Sequence, residues 1–515
     1  MKTGINKYGT LPHGTKVPGF LLDLAKKSLR VYPVPGIEAF LAWGFNPYTR
    51  QLKITESPRH ANVLLIGFPI SKNLKKAAAV IFAQMPRPRM LVFVGNQEGQ
   101  PLPEPDLSIE WDKINSLSSL LKNTKLINGD FEAFEPAFLQ EALTDENENS
   151  HDHDHHHHEE HKDDQEHDGS EKEEENEDES DENNEDSEDH EDHGGGGMDF
   201  MSMVAMTKGK PKSKDGLIMD RNETYFGPFH SGLPDGLCVK MTLDGDTVIQ
   251  AEVDQNLSNT PDLENFPKDP LELPSYMANA FPREPETLRK LTTLALTASS
   301  EEKETEQPSM VLENERLLNH LLWLRTLLQA CGDTGLVYLV TQSIQDFHGN
   351  NLSEAKIKKL TKKISSRWYL KNRLLKLAII PKNLLHHISG PIARAAEAQQ
   401  NNAWGHLQIR LTELTQNFQK IEKSQGDNYE PLPGLNPDKR IEDQISSATV
   451  ETANGKMSLQ VEIQAGNVKN ISLSSTSRAL AALVSTITKD LELSDAIVCI
   501  ASLGISTFVN KKLRR

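Results

Sequence analysis

The chain is 515 residues long, carries a formal net charge of −19 and contains only three cysteines. Cys238, Cys331 and Cys499 lie far apart, which excludes a disulfide framework and any paired-cysteine metal cage. No apolar run approaches the roughly 20 residues needed to cross a bilayer, and Met1-Lys2-Thr3 opens no signal peptide, so a soluble, cytoplasmic chain is expected.

Residues 1–143 read as an α/β domain. Val63-Leu-Leu-Ile-Gly67 and Met90-Leu-Val-Phe-Val-Gly95 are short apolar runs that each end in glycine. Between them Leu74, Ala78, Ile81 and Phe82 recur at helical spacing. Strand, helix and strand in about thirty residues predict a βαβ unit and a parallel sheet, with ligand-bearing loops at the strands' carboxyl ends. Those loops, residues 67–72 and 95–99, lack the glycine spacing of a dinucleotide or phosphate-binding fingerprint.

Residues 144–214 change character. Positions 145–193 hold 26 acidic residues against two lysines, which leaves the rest of the chain mildly basic at +5. So few apolar side chains cannot offset the entropy of ordering, and like charges push the segment open. A disordered acidic, His-rich linker is expected. Ten of the 18 histidines lie in it. His151, His153, His155, His156, His157, His158 and His161 alternate or neighbour with carboxylates, as a low-affinity Ni²⁺ or Zn²⁺ buffer would. The alternative is a polyelectrolyte spacer with incidental histidines. The methionine-bearing stretch 198–206 is either an adaptable contact surface or a linker end collapsed on its own domain.

Residues 215–515 read as one large, mainly helical α+β domain. Gly227-Pro-Phe-His230 precedes two alternating runs, 237–243 and 247–253, joined by Asp244-Gly245-Asp246. That turn chemistry predicts a hairpin. In residues 311–330, Leu317, Leu321, Leu324 and Leu328 form one stripe with Leu318 and Leu322 beside it, the pattern of a buried helix. Glu313, Arg316 and His320 share a neighbouring face, either a salt-bridged flank or a polar row beside a substrate or proton path. Ser389-Gly390-Pro391 starts a helix with Arg394 one turn in. Residues 407–421 predict an amphipathic helix with Arg410, Glu413 and Glu422 outward. Residues 446–473 alternate as strands around Asn454-Gly455 and Gly466-Asn467, 478–491 are helical, and 497–503 form a last apolar run.

Two resemblances follow from these motifs. Ser57-Pro-Arg-His-Ala-Asn62, the strand after it, Met85-Pro-Arg-Pro-Arg89 and Val94-Gly-Asn-Gln97 resemble the small iron–sulfur subunit of respiratory complex I and membrane-bound nickel–iron hydrogenases. Five ordered motifs of the second part resemble the large subunit of the same pair. They are Gly227-Pro228-Phe-His230 with its hairpin, Glu313-x-x-Arg316-x-x-Asn319-His320 with Asp333-Thr-Gly335, Ser389-Gly390-Pro391-Ile-Ala-Arg394, Glu451-Thr-Ala-Asn-Gly455, and Ala501-Ser-Leu503. The chain is similar to a fusion of both subunits.

The resemblance implies a flavodoxin-like parallel sheet, a hydrogenase-large-subunit-like body, and quinone-site candidates His230, Arg316, His320 and Arg394. It assigns structural roles to Gly227, Pro228, Glu313, Asn319, Asp333, Gly390, Pro391 and Gly455. Its metal-ligand cysteines are missing here. The cluster positions correspond to Gln97 and the turn Tyr32-Pro-Val-Pro-Gly-Ile-Glu38, and the second nickel–iron cysteine pair to Ser506 and Val509. A cluster is held by thiolates, so no resident cofactor is expected.

The expected role is a divergent peripheral-arm subunit of a complex I-like or group 4 hydrogenase-like quinone oxidoreductase complex. Its partners would be antiporter-like and complex I-type membrane subunits at the cytoplasmic face of the inner membrane, with no nucleic acid. A retained quinone-binding oxidoreductase fed by a partner, and a Ni/Zn storage or chaperone-like protein, are the other readings.

Overall fold

The computed structural model describes residues 29–48, 52–86, 89–95, 101–123, 221–259, 266–297, 303–304, 310–424, 443–507 and 512–514. The acidic segment, its histidines, the methionine-bearing stretch, Gln97 and Val509 lie outside them.

The first layer comprises β1 (Leu29–Val34), α1 (Glu38–Ala42), β2 (Leu52–Ile54), β3 (Val63–Gly67), α2 (Lys72–Gln84), β4 (Met90–Val94), β5 (Leu107–Ile109) and α3 (Leu117–Asn123). β3 and β4 bury every residue, as parallel strands do when both faces of their sheet are covered. Ser71 caps α2 by accepting from the Leu74 amide at 3.3 Å. The strands run in the order β2-β1-β3-β4-β5, every neighbouring pair parallel. This is the flavodoxin-like order, whose direction reverses between β1 and β3 and leaves a crevice at their carboxyl ends.

Next, β6 (Asn222–Phe226), β7 (Val239–Asp244) and β8 (Thr247–Val253) form an antiparallel sheet. The expected hairpin turns at Gly245 with φ +61°, a backbone region that suits glycine. α4 (Leu273–Ala280), α5 (Pro285–Thr297) and β9 (Lys303–Glu304) lead into α6 (Met310–Ala330). α6 buries Leu317, Leu318, Leu321, Leu322, Leu324, Leu327 and Leu328, and with them the polar residues Glu313, Glu315, Asn319 and His320. α7 (Thr334–His348) and α11 (Ala403–Ser424) pack on it, and α8 (Glu354–Ser365), α9 (Trp368–Leu374) and α10 (Pro391–Glu397) pack on α11. The chain continues through β10 (Gln444–Thr452), β11 (Gly455–Gln464), β12 (Asn467–Ser475), α12 (Thr476–Thr488), α13 (Leu493–Leu503) and β13 (Lys512–Arg514). These strands order as β13-β12-β11-β10-β9, antiparallel except for β9 beside β10. The last apolar run is therefore the helix α13.

One interior joins the two parts that the acidic segment separates in sequence. Val31, Leu65 and Val92 of the parallel sheet belong to the same buried cluster as Leu237, Val239, Leu321 and Leu328. The other face of that sheet packs on α2 through Leu64, Ile66, Ala78 and Phe82. A third cluster sets β10–β12 on α4 and α5 through Met277, Leu288, Leu459 and Val461.

Candidate functional site

Three motifs, drawn from α6, α10 and the β10–β11 turn, meet in one ionic junction. Arg316 pairs with Glu313 at 3.0 Å, one turn away on α6, and its Nε donates to the Glu451 carbonyl at 2.9 Å. Arg394 reaches two carboxylates, Glu413 Oε1 at 2.6 Å and Glu451 Oε1 at 2.5 Å. Arg410 donates to the Ala453 carbonyl at 3.1 Å and to Asn454 Oδ1 at 3.0 Å, with its guanidinium 4.3 Å over the Trp323 ring. Three guanidinium groups thus face three carboxylates, and Lys420 stands at the rim, 3.8 Å from Glu313.

His320 sits among them, 3.5 Å from Glu413. Burial, and then Arg410, Arg394 and Arg316, hold its pKa well below the usual imidazole value. The contact with Glu413 is therefore made by a neutral ring rather than by an ion pair. His320 Nδ1 is buried and meets no donor among the described residues.

The backbone at this junction depends on two glycines. Gly390, φ +78°, precedes Pro391 at the start of α10, and a Cβ there would stand 2.6 Å from Gly455 Cα. Gly455, φ +124°, has Thr476 and Ser389 hydroxyls where its own Cβ would go, at 2.7 and 2.8 Å. Ser389 and Thr476 share a 2.5 Å hydrogen bond, and Ser389 accepts from the Lys456 amide at 2.8 Å.

The expectation that Arg410 and Glu413 face outward is corrected. Arg410 is 2% exposed, and Glu413 lies inside the junction. The reason is that α11 is packed by α6, α8, α9, α10 and α13 and so has little outward face. Glu422 is exposed, as expected.

A second polar cluster fills the crevice between β1 and β3. Asp235, from the loop after His230, lays its carboxylate on the first turn of α1, accepting from the Glu38 amide at 2.5 Å and the Ala39 amide at 3.4 Å. Gly36 leaves the space, since a Cβ there would stand 2.0 Å from Asp235. Asn259 Oδ1 accepts from the Ser71 amide at 3.0 Å at the end of β3. Arg283 pairs with Glu38 at 2.6 Å. Burial raises the pKa of both carboxyls, Asp235 to about 7, with Glu38 adding to that rise and Arg283 opposing it. Beyond Arg283, burial also raises Glu284. Glu315 is pushed to about 8 although it accepts from the Glu286 and Thr287 amides at 3.0 and 2.8 Å at the start of α5.

The expected site residues are thus divided. Arg316, His320 and Arg394 come together. His230 does not join them: it sits beside Gly232, which approaches Ala330 at the far end of α6, roughly 15 Å along the helix from His320. Its Nδ1 accepts from the Gly232 amide at 3.1 Å, and burial lowers its pKa. Gly227, φ +103°, has no room for a side chain beneath the Leu237 carbonyl, and a cis bond links it to Pro228. Asn319 donates to the Arg283 carbonyl at 3.2 Å, and Asp333 caps α7 at 2.9 Å. The residues that pattern reading missed are Glu38, Asp235, Arg283, Glu315 and Arg410. Asp235 stands in the loop behind Gly227-Pro228, but no local pattern pairs it with Glu38, 197 positions away.

The residues at the crevice do not suit an iron–sulfur cluster. The turn from Pro35 to Glu38 supplies no thiol, and the space beneath it is filled by a carboxylate bonded to backbone amides. The three cysteines are elsewhere, Cys238 and Cys499 buried and Cys331 half-buried, and burial pushes Cys238 and Cys499 up to about 12 and Cys331 up to about 11.

The fold is therefore a flavodoxin-like parallel sheet joined through one core to a mainly helical body, with a partly exposed ionic junction in that body. No protein-family model matches the sequence, and no curated protein matches it. Among solved structures, a chain of the membrane-bound sulfane sulfur reductase, described as an archaeal respiratory membrane complex, is 16% identical with a TM-score of 0.45. That alignment covers 56% of this chain and 97% of the other. Among the described residues, no helix is long and apolar enough to cross a membrane.

Proposed function

We propose that this chain is a peripheral subunit of a complex I-like membrane assembly that holds the assembly together or transmits conformational change, without an electron-carrying centre of its own. The observation that carries the reading is that every guanidinium of the junction is already partnered. Arg316, Arg394 and Arg410 each already bind a carboxylate, a carbonyl or an amide oxygen. An anionic substrate would have to break those pairs, so the geometry suits a lock between segments better than an open binding site.

The filled crevice supports the same reading. A doubly wound sheet binds its ligands where β1 and β3 diverge, and here Asp235 takes that place. The motifs quoted from the sequence supply the class of assembly, and antiporter-like membrane subunits are its partners.

The test is purification of a tagged full chain from detergent-solubilised membranes of its host, with the co-purifying proteins identified. Antiporter-like membrane subunits are expected. Recovery of the chain without any membrane subunit would sink the assembly reading. Stoichiometric iron and acid-labile sulfide in the purified chain would sink its cluster-free part.

A further inference from the structure

Among the described residues, α8, α9 and the turns that follow form a surface rich in both exposed cations and exposed apolar side chains. Ile357, Leu360 and Ile364 bury one stripe of α8, so Lys358, Lys359, Lys362 and Lys363 fall on the solvent side. Leu370 and Leu374 do the same for α9 and leave Lys371 outside, followed by the exposed Lys376 and Lys382. Residues 356–382 contain ten lysines and arginines and no acidic residue. Three are paired: Lys356 with Asp346, Lys358 with Glu354 and Arg373 with Asp495. Among the described residues, no carboxylate pairs with Lys359, Lys362, Lys363, Lys371, Lys376 or Lys382.

Between these cations stand side chains that burial would favour. Trp368 is 73% exposed and Ile379 61%, with Tyr369, Leu375 and Leu384 also exposed. α8 and α9 both pack on α11, so this surface is the side turned away from the body.

We infer that the surface of residues 356–384 binds an anionic lipid bilayer face. Lysines attract the negative headgroup layer, each strengthening binding roughly fivefold near the surface, while tryptophan and tyrosine settle at headgroup depth. Leu375, Ile379 and Leu384 gain from contact with acyl chains. A nucleic acid would answer the charge and stack on the aromatic rings, but it would leave these three aliphatic side chains in water. The chain's overall negative charge belongs to residues 145–193, whereas residues 356–382 hold ten cations and no carboxylate. The inference stands on charge and exposure alone and holds whether or not the assembly proposed above exists.

The test is sedimentation of the purified full chain with phosphatidylcholine vesicles, with and without phosphatidylglycerol. Binding is expected only with phosphatidylglycerol, and salt should weaken it. A Lys359→Gln/Lys362→Gln/Lys363→Gln variant should bind at least tenfold more weakly. A Trp368→Ser/Ile379→Ser variant should lose several-fold, and the blue shift of tryptophan emission on binding should vanish in Trp368→Phe. All these positions are exposed, and circular dichroism checks that each variant folds. The idea is overturned by equal binding to both vesicles, by no binding to either, or by a lysine variant that binds like the parent. Preference for a single-stranded RNA over the vesicles, unaffected by Ile379→Ser, overturns it as well.

Discussion

The Asp235 carboxylate lies 2.5 Å from the Glu38 backbone nitrogen and caps the first turn of α1 from the far side of the chain. An anion at a helix start is favourable, yet this one is buried beside a second buried carboxyl. Burial raises both groups, and Asp235 titrates near 7. A carboxyl with a raised folded-state value stabilises the fold fully below its unfolded value near 3.9. That contribution is lost as pH rises through about 7. Asp235→Asn keeps an oxygen for the Glu38 amide and removes the ionisation. Its stability relative to the parent should therefore rise between pH 5 and pH 8, by on the order of 1–3 kcal/mol. Urea unfolding at the two pH values measures it, and a difference that does not change with pH rules the account out.

Arg410 makes a second case. Its guanidinium is buried, stacked on Trp323, and holds the Ala453 carbonyl and Asn454 at the β10–β11 turn. Arg410→Ala strands those two oxygens and opens a cavity, so a loss of about 3–5 kcal/mol is expected. Arg410→Met retains most of the volume and the contact with Trp323, and should lose clearly less. Chemical unfolding midpoints of the two variants decide this; equal losses would mean that the polar contacts carry the whole effect and packing adds nothing.

The elements of this fold were legible because their periodicity is local. The runs 63–67 and 90–94, the leucine stripe of α6, and the turns at Gly245, Gly455 and Gly466 each carry their signal within a few residues. The junction was half legible. Glu313 and Arg316 announce themselves by spacing on one helix, and Arg394 by its distance from Gly390-Pro391. Arg410 misled, because a charged residue on an amphipathic helix reads as solvated unless the packing of α11 on several sides is known. Asp235 with Glu38 was illegible for a different reason: the two meet across 197 positions, and no local pattern encodes that separation.

The histidine run gives a prediction from composition alone. Imidazoles and carboxylates alternating between His151 and His161 suit several weakly bound borderline ions rather than one tight site. Calorimetry of the full chain with Ni²⁺ and with Zn²⁺ should show multi-site binding that weakens as pH falls through about 6.5, because protonated imidazole cannot ligate. Deleting residues 151–193 should abolish it. A deletion variant with an unchanged titration would place the binding elsewhere or nowhere.

The thiols test the cluster-free account from the other side. Cys238 and Cys499 are buried, the latter accepting from the Ala378 amide at 3.2 Å, and Cys331 is half-buried at the end of α6. A thiol reacts through its thiolate, and burial suppresses that form in all three. Titration of the native chain with a chromogenic disulfide at pH 8 should therefore be slow. Cys331 should react first, since it is the least enclosed and is raised less than the other two. Cys238 and Cys499 should respond only at the rate of unfolding, and all three at once in denaturant. Fast reaction of Cys238 or Cys499 in the folded chain would show an accessible, ionised sulfur. The thiols could then not be dismissed as metal ligands on chemical grounds.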